Sequence, residues 1–163
     1  MNYHKIEKTS IANGAGIRVV LWVSGCSLYC KGCHNPETWC IDSGKLFDES
    51  AKQELFEALD KPYIQGITFS GGHPLENENI SEVYSLCKEI KNFFPTKDIW
   101  LYTGYTFEDI NSYLIMKYID VLVDGKYIEE QRDITLPFRG SKNQRVIDVK
   151  KSLEENEIVL YKE

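Results

Sequence analysis

The stretch Ile17-Arg18-Val19-Val20-Leu21-Trp22-Val23-Ser24-Gly25-Cys26-Ser27-Leu28-Tyr29-Cys30-Lys31-Gly32-Cys33 joins a strand to a cluster of thiols. From Ile17 to Val23 it is apolar and rich in β-branched residues, which suits a buried strand, and Ser24-Gly25 ends it. The cysteines that follow have C-x3-C-x2-C spacing and lie on the loop leaving the strand's C-terminal end. Three thiolates so close together can hold three corners of an iron–sulfur cube, leaving one iron open to a small molecule. A zinc knuckle competes with this reading, with His34 or Cys40 as the fourth ligand. His34 follows Cys33 immediately, however, and Cys40 lies outside the compact spacing.

Outward from this stretch, strands and helices alternate. Asp48 to Lys61 reads as a helix, with Ala51, Leu55, Ala58 and Leu59 on one face and Asp48 as its cap. Ile64 to Phe69 is a second strand, ending at Ser70-Gly71-Gly72. A second helix places Ile80, Val83, Tyr84, Cys87, Ile90 and Phe94 at helical spacing until Pro95 stops it. Cys87 thereby reads as a core residue, and Cys40 as an ordinary one. Ile99 to Tyr102 is a third strand, broken by Thr103-Gly104. Thr106 then caps a third helix with Phe107, Ile110 and Leu114 inward. Val121 to Val123 is a fourth strand, ending at Asp124-Gly125. Beyond it, Pro137 to Asn143 reads as a loop, Gln144 to Val149 as a strand and Ile158 to Tyr161 as a short terminal strand.

The expected fold is therefore α/β, a mainly parallel sheet covered by helices in a single domain over residues 1–163. Four unusual loops each follow a strand's C-terminal end: Gly25-Cys26, Gly71-Gly72-His73, Thr103-Gly104 and Asp124-Gly125-Lys126. In parallel α/β architectures that edge binds ligands, so the four loops are expected to converge on one site.

Composition narrows the function. The chain has 163 residues, 42% hydrophobic and 27% charged, enough to build one core. A net charge of −6 argues against nucleic-acid backbone binding, which needs surplus Lys and Arg. No run approaches a membrane span, and Met1-Asn2-Tyr3-His4-Lys5 lacks the apolar core of a signal peptide. The expectation is a cytoplasmic protein with no membrane contact. Five cysteines, three of them clustered, then point to metal or redox chemistry rather than disulfides.

The cysteine loop after a first strand resembles the radical S-adenosylmethionine superfamily. Asn13-Gly14-Ala15-Gly16-Ile17-Arg18, the run through Cys33-His34-Asn35-Pro36-Glu37-Thr38-Trp39, and Gly66-Ile67-Thr68-Phe69-Ser70-Gly71-Gly72 resemble one branch of it. Leu101-Tyr102-Thr103-Gly104-Tyr105 and Arg139-Gly140-Ser141-Lys142-Asn143-Gln144-Arg145 are similar to the same branch. That branch activates anaerobic ribonucleoside-triphosphate reductase.

The resemblance implies an incomplete parallel β/α barrel, open on one side. It implies a 4Fe–4S cluster on Cys26, Cys30 and Cys33, whose unique iron chelates S-adenosylmethionine. It also implies that cleavage of that molecule yields a radical which abstracts hydrogen from a glycine of the large reductase subunit. A donor such as flavodoxin would supply the electron. Gly32, Cys33 and His34 would lie near the adenine, and Ser70, Gly71, Gly72 and His73 near the methionine end. Thr103 and Asp124 would hold a cation beside the carboxylate; Ser141, Asn143 and Gln144 would bond the ribose or carboxylate. Arg139 and Arg145 would face the partner or solvent.

Three positions depart from the superfamily's pattern. His73 replaces a usual acid, Ala15 a frequent proline, and Gly32 an aromatic that many members carry. The alternative function is a small-molecule enzyme of the same superfamily, similar to a 7-deazaguanine synthase.

Overall fold

The computed structural model describes residues 1–163. One seven-stranded sheet runs through the protein in the order β3-β1-β2-β4-β5-β6-β7. The strands are β1 (Asn2–Ser10), β2 (Arg18–Val23), β3 (Lys45–Leu46), β4 (Gly66–Gly71), β5 (Asp98–Tyr102), β6 (Val121–Asp124) and β7 (Arg145–Asp148). The helices are α1 (Glu49–Leu59), α2 (Ile80–Phe93), the single turn α3 (Phe107–Ile110) and α4 (Val149–Glu155).

The sheet is open and mixed rather than mainly parallel. β2, β4, β5 and β6 run parallel, while β1 and β3 on one flank and β7 on the other are antiparallel. The sequence reading omits β1 because Asn2 to Ser10 is largely polar and only Tyr3 and Ser10 in it are buried. Gln144 to Val149 divides: β7 ends at Asp148, whose carboxylate accepts from the Lys151 N–H and so starts α4 at Val149. Ile158 to Tyr161 adds one bridge, Ile147 to Leu160, and no full strand.

Helical periodicity holds where the helices are long. α1 buries Ala51, Leu55, Ala58 and Leu59, and the Asp48 carboxylate accepts from the Ala51 N–H at 2.9 Å. α2 buries Val83, Leu86, Cys87 and Ile90. The third helix is shorter than its pattern suggests. Leu114 is 71% exposed, because the chain turns after Ile110 and buries Ile115 and Met116 instead. Thr106 precedes α3, but its hydroxyl donates to Asp109 and accepts no backbone N–H.

Beneath the site lies a buried cation. Arg18 is fully buried on β2 and pairs with the Asp98 carboxylate at 2.6 Å. Its guanidinium also donates to Thr68 Oγ1 and to the carbonyls of Ala15 and Ile67, and lies over the Trp100 ring. Thr68 in turn donates to the Asn13 carbonyl, so this one side chain fixes three strands and the 11–17 loop. Arg18→Ala strands Asp98 beside a cavity and should cost about 3 kcal/mol, or about 6–12 °C in melting temperature. Urea and thermal unfolding of the variant check this; a loss below about 1 kcal/mol would show that Asp98 rehydrates freely.

Candidate functional site

The four strand-end loops line a single cavity of about 490 Å³. β2 contributes Cys26, with Cys30 and Cys33 further along the same loop. β4 contributes Ser70, Gly71, Gly72 and His73; β5 contributes Thr103 and Gly104; β6 contributes Gly125.

Backbone contact makes this convergence possible. The six-residue parallel register ends on Val23 opposite Gly71. The Gly72 N–H then donates to the Val23 carbonyl, and the His73 N–H to the Gly25 carbonyl at 2.7 Å. A Cβ on Gly71 would stand 2.7 Å from the Val23 backbone, and one on Gly72 2.5 Å from the Gly25 oxygen. No side chain fits between the two loops. On its other side the cysteine loop is held by the Gly25 N–H to Thr38 and the Cys26 N–H to Trp39.

Burial pushes the Cys26 and Cys30 thiols up from their ordinary range, and the neighbouring thiols add to this. A bound metal would supply the compensating positive charge and release the protons. No three His, Cys, Asp or Glu side chains converge on a point that could hold one ion, as a zinc site needs. A cube takes each thiolate on a different iron, so its ligands need only face one cavity, as Cys26, Cys30 and Cys33 do. Cys40 is exposed outside that cavity and Cys87 is buried in the core. The cavity also fits an organic ligand: the hydroxyl of Tyr127 and the indole N–H of Trp39 are buried on its wall without hydrogen-bond partners.

His73 has both ring nitrogens engaged. Nε2 lies 2.8 Å from the Thr103 hydroxyl and Nδ1 lies 3.3 Å from Glu76 Oε1. Burial lowers the imidazole's pKa despite the neighbouring carboxylate, so the ring is neutral at pH 7. Glu76 also accepts from the Ser27 N–H and hydroxyl, both at 2.8 Å, and so ties the cysteine loop to the glycine loop. Glu76, three residues on from His73, thus serves as a brace and does not line the cavity.

Asp124, Ser141 and Asn143 stand behind the cavity wall. The Asp124 carboxylate is buried and accepts from Arg145 at 2.5 and 3.1 Å and from the Phe107 N–H. It caps α3, and Arg145 supplies the positive charge that a bound cation was expected to bring. Ser141 donates to Asn143, whose amide donates to the Lys126 carbonyl. Gln144 does line the cavity, braced on Gly125 and Gly140. Arg139 also lines it, whereas Arg145 turns inward to Asp124 and Glu108. Reasoning from the sequence missed Trp22, Tyr127 and Phe138, aromatic wall residues; Trp22 and Tyr127 stand close to strand ends, whereas Phe138 lies well inside the segment between β6 and β7.

Glu108 carries a measurable consequence. Its hydrogen bond from Arg145 holds its carboxyl at about 2, below the ordinary range. A depressed carboxyl stabilises the fold above its unfolded pKa, and that contribution disappears as pH falls toward 2. Glu108→Gln should therefore be closest to wild type below pH 3 and lag it above pH 5. Urea midpoints across that interval test this, and a constant difference would sever the link to ionisation.

Residues 12–147 match the family model of the 4Fe-4S single cluster domain. The chain is 47% identical over 146 residues to the anaerobic ribonucleoside-triphosphate reductase-activating protein of Enterobacteria phage T4, covering 90% of this chain and 93% of the relative. The proteins of that name from Vibrio cholerae and Escherichia coli K12 are 43% and 40% identical. Those matches cover 88% and 90% of this chain, and 96% and 97% of the relatives. With the cysteine loop and the cavity it lines, these likenesses establish that the chain belongs to the 4Fe-4S single cluster domain family and, within it, to the anaerobic ribonucleoside-triphosphate reductase-activating proteins.

Proposed function

We propose that the protein is a radical S-adenosylmethionine enzyme that cleaves its cosubstrate reductively. Its product is a glycyl radical on the large subunit of anaerobic ribonucleoside-triphosphate reductase. The observation that carries this reading is the meeting of the cysteine loop and the Gly71-Gly72 loop in one cavity. The relatives' names add the target. The expected partial barrel of the superfamily belongs to the same proposal; the open sheet is compatible with it.

When bound, the cluster and S-adenosylmethionine supply the electron transfer and the hydrogen-abstracting radical. The chain's own contribution is placement and shelter. Cys26, Cys30 and Cys33 hold the cluster at the end of β2. The backbone of Ser70, Gly71 and Gly72 approaches the methionine end, where side chains would obstruct it. His73 and Thr103 hold that loop through each other, and Glu76 fixes its distance from the cysteines. Trp22, Trp39, Tyr102 and Phe138 give the cavity aromatic walls that exclude water and restrain side reactions. Ile134 lines the cavity yet is 83% exposed, which marks its mouth. We assign that mouth to the glycine loop of the partner.

Anaerobic reconstitution should give about four irons per chain. Cys26→Ala, Cys30→Ala and Cys33→Ala should each lose the cluster, whereas Cys40→Ala and Cys87→Ala should retain it. Iron loss in the Cys40 variant alone would overturn the ligand assignment. Mixed with S-adenosylmethionine, a reductant and the reductase subunit, the reconstituted protein should yield a doublet in electron paramagnetic resonance. Deuteration of the glycine α-carbon should collapse that doublet. Cleavage of S-adenosylmethionine with no radical on the subunit would favour the small-molecule alternative.

A further inference from the structure

Glu76 is a carboxylate with no cation to balance it. It follows the glycine loop of β4, and its side chain is only 12% exposed. Oε1 accepts from the Ser27 N–H and the Ser27 hydroxyl, both at 2.8 Å, and faces His73 Nδ1 at 3.3 Å. No Lys or Arg pairs with it, and His73 is its single ionisable partner. Burial works to raise the Glu76 carboxyl, yet the two Ser27 hydrogen bonds and His73 hold it below its ordinary range, so it is ionised at pH 7. Burial keeps the His73 ring neutral there. The hydrogen bonds thus hold the charge among neutral donors and cancel none of it.

This charge stands beside the cysteines. The amide nitrogen of Ser27 is bonded to the carbonyl carbon of Cys26, so one peptide unit separates the carboxylate from that cysteine. The main chain fixes the spacing from the other side. The His73 N–H donates to the Gly25 carbonyl at 2.7 Å, and the Glu76 N–H to the His73 carbonyl at 3.1 Å. A partly buried charge is screened far less than an exposed one. Nearby charge is also one of the levers by which a protein sets the potential of an iron–sulfur cluster.

We propose that Glu76 lowers the reduction potential of the cluster held by Cys26, Cys30 and Cys33, through a fixed negative charge behind the cysteine loop. The assignment rests on the cluster proposed above. In the step concerned, one electron passes from an external low-potential donor to the cluster, and no bond is made or broken. The electron enters a centre that already carries three thiolates, and the carboxylate opposes its arrival. The cluster is therefore harder to reduce and, once reduced, a stronger reductant. Cleaving a carbon–sulfur bond of a sulfonium calls for such a reductant. Glu76 does not line the cavity, so it is a positioning residue that acts through the cluster and not on the cosubstrate.

The test is a redox titration of the anaerobically reconstituted protein without S-adenosylmethionine. The reduced cluster is followed by electron paramagnetic resonance at one fixed pH, and iron content is measured in each sample. Glu76→Gln keeps an oxygen that accepts from Ser27 and removes the charge. It should favour reduction about tenfold over wild type, a rise of about 59 mV for a one-electron couple. Glu76→Asp keeps the charge and should stay close to wild type. Glu37→Gln removes an exposed charge just beyond Cys33, and its shift should be about twofold or less. An unchanged or lowered potential in Glu76→Gln would overturn the proposal. So would an equal rise in Glu76→Asp, which would trace the effect to packing, or in Glu37→Gln, which would trace it to net charge alone. Loss of iron from Glu76→Gln would also overturn it, because the residue would then hold the loop rather than charge it. If wild type itself takes up no cluster, the proposed function fails, and that result is distinct from an unmoved potential in a loaded variant.

Discussion

The site depends on two backbones touching at the ends of β2 and β4. Parallel pairing in register delivers Val23 and Gly71 to the same level, and the next residues are hydrogen-bonded across the gap. The cysteine loop and the glycine loop therefore keep a separation set by main-chain geometry rather than by flexible side chains. A methyl group at Gly71 or Gly72 would force them apart. Catalysis by placement needs tolerances well below the width of a methyl group, and backbone contact supplies them.

Around this contact the polar side chains act as braces. Glu76 binds Ser27 and His73, His73 binds Thr103, and Thr103 accepts from the Tyr105 N–H. The chain of contacts crosses the ends of β2, β4 and β5. On the far flank, Asp124, Arg145 and Glu108 join β6, β7 and α3. Buried carboxylates near a ligand cavity suggest ligand contact in a sequence, yet here their lone pairs are already occupied by the protein. Their work is to hold loops still.

What could be read from the sequence follows from what each signal depends on. The parallel strands were legible because burial on both faces leaves a continuous apolar run, as in Val19 to Val23. β1 was not, since only Tyr3 and Ser10 in it are buried. The cysteine and glycine loops were legible because their chemistry is local and tied to residue type. Asp124, Ser141 and Asn143 are engaged by the protein's own groups, and in sequence a carboxylate or hydroxyl looks the same whether it faces a ligand or another side chain. The aromatic walls were invisible for the opposite reason: Trp22 comes to the cavity from β2, and Tyr127 and Phe138 from the segment between β6 and β7, which no spacing in the sequence announces. Leu114 shows the limit of periodicity, which cannot foresee that a helix stops after a single turn.

Arg18 makes the cavity's two sides unlike in how they are anchored. Through Thr68 it anchors the Asn13 side to the core, so that side can open only with the β2–β4–β5 ladder. The opposite side, residues 126–144, contains one short 3-10 turn and one isolated bridge, Arg132 to Ser141. The two sides of the cavity are therefore held by different means: a buried guanidinium wired into three strands on one side, and hydrogen bonds between loop residues on the other.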